Sequence, residues 1–110
     1  MQAVVFETLA DPARRRIVEV LRGGEKAVND IVEQMDIHQS GVSRHLRLLS
    51  EAGFVQVRPD GARRLYSLRR EPFDELEAWL SQFQKTWDAR LDRFAAELER
   101  RKKARKDPKP

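Results

Sequence analysis

Apolar residues recur along most of this chain at steps of three and four, the period of helices with one buried face. Val4, Val5, Phe6 and Leu9 predict a short first helix. Asp11-Pro12 then sets a capping carboxylate before a proline at the first helical position, so a second helix starts there and buries Ile17, Val18 and Leu21. Gly23-Gly24 ends it, because glycine tolerates the left-handed turn that closes helices. Val28, Ile31, Val32 and Met35 repeat the spacing in a third, short helix. After a turn at Asp36 to His38, Val42, His45, Leu46 and Leu49 carry it through a fourth, which Gly53 closes.

The period then changes. Phe54-Val55-Gln56-Val57-Arg58 and Arg63-Arg64-Leu65-Tyr66-Ser67-Leu68 read as two strands, with Pro59-Asp60-Gly61-Ala62 as the hairpin turn. Two short helices with a tight turn followed by a hairpin predict a winged helix-turn-helix, mostly α with a small β-hairpin wing. Pro72 opens a last helix whose apolar residues, Phe73, Leu76, Leu80, Phe83, Trp87, Leu91, Phe94 and Leu98, step by three or four with no breaker before Asp107-Pro108. That run spans roughly 40 Å at 1.5 Å per residue, longer than a domain of this size needs along one edge. Its surplus stripe therefore predicts a dimer through the N- and C-terminal helices. Val4, Val5 and Phe6 pair there with Trp79, Leu80, Phe83, Trp87 and Leu91.

The chain's 110 residues suit one domain, expected over residues 1–99, and are too few for a catalytic domain plus a second module. Absence of cysteine removes disulfides, thiolate metal sites and cysteine nucleophiles together. The longest apolar run, Ala3 to Phe6, can form neither a signal-peptide core nor a membrane span, so a cytoplasmic protein is expected. Catalysis would require a nucleophile, a base and an orienting group in one pocket. No glycine-rich phosphate loop or His-x-x-x-His pair is present, and Ser40 and Ser43 near His45 lack an orienting acid. Neither an enzyme nor a cofactor is expected.

The net charge of +4 points less directly to nucleic acid than it first suggests. Arg100 to Pro110, expected as a fraying basic tail, carries +6 by itself and leaves residues 1–99 at −2. The informative segment is Ile37 to Arg70, with seven arginines against Glu51 and Asp60. On the fourth helix Ser40, Ser43, Arg44 and Arg47 lie opposite the apolar stripe, with no acid from Ile37 to Ser50. Small hydroxyls allow close approach to base edges, and arginine reads guanine or holds a phosphate. Arg58, Arg63 and Arg64 surround the hairpin turn, where they can straddle a phosphate backbone or reach a minor groove. Serine and arginine are also ordinary surface residues, and charge on an edge strand blocks strand addition.

The runs Leu9-Ala10-Asp11-Pro12-Ala13-Arg14-Arg15-Arg16-Ile17, Gln39-Ser40-Gly41-Val42-Ser43-Arg44-His45-Leu46-Arg47-Leu48-Leu49, Ala52-Gly53-Phe54-Val55 and Gly61-Ala62-Arg63-Arg64-Leu65-Tyr66 resemble the ArsR/SmtB family of bacterial dimeric winged-helix repressors. The resemblance covers about Ala3 to Leu98. It implies an operator-binding homodimer that represses until a signal releases it, with His45 in a structural role or at or beside the double-stranded DNA, and His38 and Gln39 at the start of the same helix are expected to contact that DNA. His38 also stands where a serine or threonine cap is usual, and its imidazole either caps weakly or reaches a phosphate.

The family's thiolate sensors carry Cys-x-Cys, absent from Glu33 to Ile37, and its other metal site uses histidines on the last helix, which here has none. No metal site is expected, and the resemblance leaves any small-molecule inducer open. The expected function is sequence-specific transcriptional repression at a palindromic operator. Its competitors are a winged-helix protein-interaction module and a nonspecific architectural DNA binder.

Overall fold

The computed structural model describes residues 3–106. The elements in chain order are α1 (Ala3–Ala10), α2 (Pro12–Leu21), β1 (Lys26–Ala27), α3 (Val28–Val32), α4 (Gln39–Glu51), β2 (Val55–Asp60), β3 (Arg63–Leu68) and α5 (Glu71–Lys106). One compact unit runs to Leu76, and residues from Glu77 form a second, consisting of the remainder of α5.

The Asp-Pro-x-Arg run is a double cap. Asp11 has extended backbone and its Oδ1 accepts from the N–H groups of Ala13, at 2.8 Å, and Arg14, at 3.2 Å, satisfying two orphan donors of α2. Those bonds, the Arg14 amide first, hold the Asp11 carboxyl below its ordinary value, although partial burial works against them. The Arg14 side chain reaches the other way, donating from Nε to the Thr8 carbonyl at 2.8 Å and from Nη2 to that of Glu7 at 3.1 Å. One four-residue run thus closes α1 and opens α2.

In the core, Ile17 from α2, Ile31 from α3, Val42, Leu46 and Leu49 from α4, and Phe54 are wholly buried. The third helix is shorter than its spacing predicts. It ends at Val32, and Met35 packs on the core from the turn beyond it. At the far end of α4 the Phe54 N–H donates to the Leu49 carbonyl at 2.9 Å and the Gly53 N–H to that of Ser50 at 3.1 Å, with Gly53 at φ +80°. This is a Schellman closure, and its two apolar partners, Leu49 and Phe54, are both core residues.

The sheet has three antiparallel strands in the order β1-β3-β2, one more than the sequence predicts. Lys26 and Ala27 pair with Tyr66 and Leu65. The hairpin turn is also tighter than expected. Asp60 pairs with Arg63, so Pro59 and Asp60 belong to β2 and only Gly61-Ala62 form the loop. Gly61 at φ +63°, followed by an alanine with negative φ, gives the pattern of a two-residue II′ turn. Pro59, without an N–H, is tolerated because β2 is an edge strand.

The apolar stripe of α5 divides in two. Phe73 sets its ring edge-on to Phe54, with centroids 5.7 Å apart, and Leu76 packs on the same core. Leu80, Phe83, Trp87, Leu91, Phe94 and Leu98 are exposed. Val5, expected at the dimer surface, instead lies in its own core at 3% exposure, on the face of α1 that it shares with Thr8 and Leu9 and that packs on the core. Val4 and Phe6 are on the outside. The basic segment from Arg100, expected to begin as a continuation of the last helix and then fray, is helical through Lys106, and Asp107 to Pro110 lie outside the described residues.

Candidate nucleic-acid interface

Helix α4 is fixed by Val42, Leu46 and Leu49 and presents Gln39, Ser40, Ser43, Arg44 and Arg47 outward. His38 has extended backbone (φ −68°, ψ 156°) and makes no side-chain cap bond, and the first turn holds no acid. The leading N–H groups and the positive end of the helix dipole therefore face outward without a neutralising side chain. Arg44 has no ion-pair partner among the described residues, and Arg47 has only a loose one, 3.9 Å from Glu51.

The wing arginines differ among themselves. Arg58 donates from Nε and Nη2 to the two carboxylate oxygens of Glu25, each at 2.7 Å. This fork raises the Arg58 guanidinium's proton affinity and lowers the Glu25 carboxyl's pKa. Arg63 stands 3.5 Å from Asp60 across the turn. Arg64 has no partner among the described residues. Of the three expected contacts, Arg64 is thus the most available and Arg58 the least.

Two adjoining hollows connect the helix to the wing. Gln39 lines one of about 290 Å³ with Asn29, Arg63 and Arg64. Ser43 and Arg47 line the other, of about 490 Å³, with Arg64, Val57 and Tyr66. Arg64 belongs to both. Asn29, an exposed amide at the start of α3, escaped the sequence reading. Its only signal there is a polar side chain between Val28 and Ile31, which does not reveal that it lines one hollow with the wing arginines Arg63 and Arg64. Glu25 escaped for a similar reason, lying 33 residues from the arginine it holds.

His45 stands apart from this exposed group. It is half-buried, its Nδ1 is buried without a hydrogen-bond partner, and it lies within electrostatic reach of the Asp11 carboxylate. Among the described residues no group of three or more His, Asp or Glu side chains could hold a metal ion, and the chain has no cysteine. No described helix is long and apolar enough to cross a membrane.

Comparison with known proteins places this geometry. A family profile described as a helix-turn-helix domain matches residues 9–58. The transcriptional repressor SdpR of Bacillus subtilis is 32% identical over 79 residues, covering 72% of this chain and 88% of that protein. A crystal structure titled as a possible transcriptional regulator for arsenical resistance is similar with a TM-score of 0.67 and 38% identity, over 87% of this chain and 97% of the other. A solution structure from Mycobacterium bovis is similar with a TM-score of 0.62 and 29% identity, over 76% of this chain and 77% of that one. Its title describes a homodimeric winged helix-turn-helix DNA-binding domain of a possible ArsR-family regulator. The helix-turn-helix, its wing and these similarities together establish that the chain belongs to the ArsR/SmtB family of winged helix-turn-helix transcriptional regulators.

Proposed function

We propose that the chain is a cytoplasmic, non-enzymatic repressor that binds a two-fold symmetric operator as a homodimer. The observation that carries this is the junction of α4 and the wing, where Gln39, Ser43, Arg47, Arg63 and Arg64 share two hollows. Helix α4 enters the major groove with Ser40, Ser43 and Arg44 toward base edges, and the wing holds the flanking backbone through Arg63 and Arg64. Arg47, Gln39 and His38 contact phosphate around the helix start. His45 supports α4 against the Asp11 cap, and Arg58 is held back from the DNA by its pair with Glu25.

The dimer is supported by the exposed stripe from Leu80 to Leu98 and by Val4 and Phe6 on α1. Residues 1–99 are the DNA-binding and dimerising domain, with the basic segment 100–110 appended. Selection of bound fragments from random DNA tests the reading. Enrichment of an inverted repeat is the expected result, and enrichment of no motif would leave an architectural binder or a protein-interaction module in its place.

A further inference from the structure

The larger hollow between α4 and the wing holds more apolar surface than a grip on phosphate uses. One wall is a single stripe of α4, where Ser43, Leu46, Arg47 and Ser50 follow the i, i+3, i+4, i+7 spacing that aligns side chains on one helix face. The other wall is one face of the hairpin. Arg64 and Tyr66 stand two residues apart on β3, and Val57 is the cross-strand partner of Tyr66, so the three share one side of the sheet. Val28, at the start of α3, completes the lining.

This lining combines two chemistries. Leu46, Val28, Val57 and the Tyr66 ring are apolar, and Val57 is 44% exposed, more open than any other large apolar side chain of the hairpin. Arg47 and Arg64 supply charge, and no acid lines the hollow. Arg64 has no partner among the described residues, and Arg47 has only its loose pair with Glu51 at 3.9 Å. Ser43, Ser50 and Tyr66 add hydroxyls that make no hydrogen bond among the described residues. The volume, about 490 Å³, falls within the roughly 300–1,000 Å³ of small-ligand pockets.

We infer that this hollow is an inducer site for a small monoanion with an apolar body, an aromatic carboxylate, whose ring rests on Val57, Tyr66 and Leu46 while Arg47 and Arg64 hold its carboxylate. A guanidinium fork grips a carboxylate as it grips a phosphate. An inorganic anion would leave the apolar part in water, and a neutral aromatic would leave both guanidiniums without a counter-charge, so the two chemistries select the same ligand class. Arg47 and Arg64 are also residues given above to DNA phosphate. The inference therefore rests on the repressor reading and adds that ligand and operator exclude one another. At ten times its own Kd, such a ligand should raise the apparent Kd for DNA by about tenfold for each wing it occupies.

Tyr66 is the only tyrosine of the chain, so biosynthetic 3-fluorotyrosine places a single fluorine resonance in the hollow. Titration of the DNA-free full chain with 2-naphthoate should shift that resonance saturably. Its uncharged analogue 2-naphthylmethanol, and inorganic phosphate, should each bind about tenfold more weakly or worse. Fluorescence anisotropy should show 2-naphthoate displacing the selected operator. Val57→Asn should weaken naphthoate about tenfold and leave DNA affinity within about twofold, since Val57 supplies apolar contact and no charge. No shift at Tyr66, or phosphate acting as strongly as naphthoate, overturns the site. Loss of DNA affinity in Val57→Asn with naphthoate binding unchanged gives the apolar part to DNA and overturns it equally. A naphthoate complex that binds operator as tightly as the free chain overturns the inducer role. A saturable shift in a chain that binds no DNA refutes the repressor reading and leaves the ligand site standing.

Discussion

Removing the carboxylate of Glu25 is expected to strengthen DNA binding by releasing a cation that the wing keeps occupied. Arg58 is held by both Glu25 oxygens at 2.7 Å, yet its side chain is 59% exposed, so it can swing outward once that partner is gone. Each added phosphate contact steepens the dependence of log K on log salt by about 0.9, which amounts to about eightfold in affinity at 0.1 M relative to 1 M salt. Two wings in a dimer give a limit of about 1.8 in slope. Fluorescence anisotropy of Glu25→Gln against random duplex, over a salt series, should show the steeper slope. Arg58→Ala alone should change the slope far less than Arg64→Ala, because Arg64 begins without a partner. If Arg58→Ala flattens the wild-type slope as much as Arg64→Ala does, Arg58 abandons Glu25 on DNA and the reasoning fails.

Arg44→Ala or Ser43→Ala should cost roughly 1–3 kcal/mol on the selected operator and little on random DNA, measured by competition binding. Trp87→Glu should run as a monomer in light scattering, since it places a charge in the middle of the exposed stripe. Asp11→Ala should lower stability by about 1 kcal/mol in urea unfolding through loss of the α2 cap, whereas Asp11→Asn should keep most of it. Because the folded Asp11 carboxyl lies below its ordinary value, its charge-dependent stability is complete above the unfolded carboxylate pKa and is lost as pH falls through the lowered folded one. The acid limb of the stability curve should therefore soften in Asp11→Asn. Micromolar zinc or arsenite should leave operator affinity unchanged in the same anisotropy assay.

Local signals were legible and long-range ones were not. Asp11-Pro12, Gly53 and the α4 stripe act within one or two turns, so sequence spacing locates both helix ends and the face of α4 that the core covers. The third helix reads too long because Met35 keeps helical spacing after the backbone has left the helix, and burial alone sustains the pattern. Strand β1 is two residues long and exists only because β3 passes beside it, which no period-two alternation can announce. The sequence starts the turn too early because Pro59 usually marks a turn, whereas here it lies on an edge strand where its missing N–H costs nothing. Val5 reads as a dimer-surface residue because adjacent Val4, Val5 and Phe6 do not by themselves say which one turns inward.

The winged helix and the long helix answer different parts of one recognition problem. A single α4 offers three side chains toward base edges, Ser40, Ser43 and Arg44, and each good pair discriminates by about 1–3 kcal/mol. Three such pairs sum to about 3–9 kcal/mol, which falls short of the upper part of the roughly 4–10 kcal/mol by which specific binders exceed their own nonspecific affinity. More arginines at the wing would raise affinity on every sequence alike and leave this gap open. A second copy doubles the base-reading face without altering it, provided the two are held at a fixed separation that matches the helical repeat of DNA. Rigid spacing of that kind needs an interface that cannot slide. A stripe of large side chains at Leu80, Phe83, Trp87, Leu91, Phe94 and Leu98 offers a second copy such an interface, because a shift of one turn uncovers Leu80 or Leu98 at its end. Specificity in this chain thus depends on α5 as much as on α4, although no residue of the α5 stripe need touch DNA.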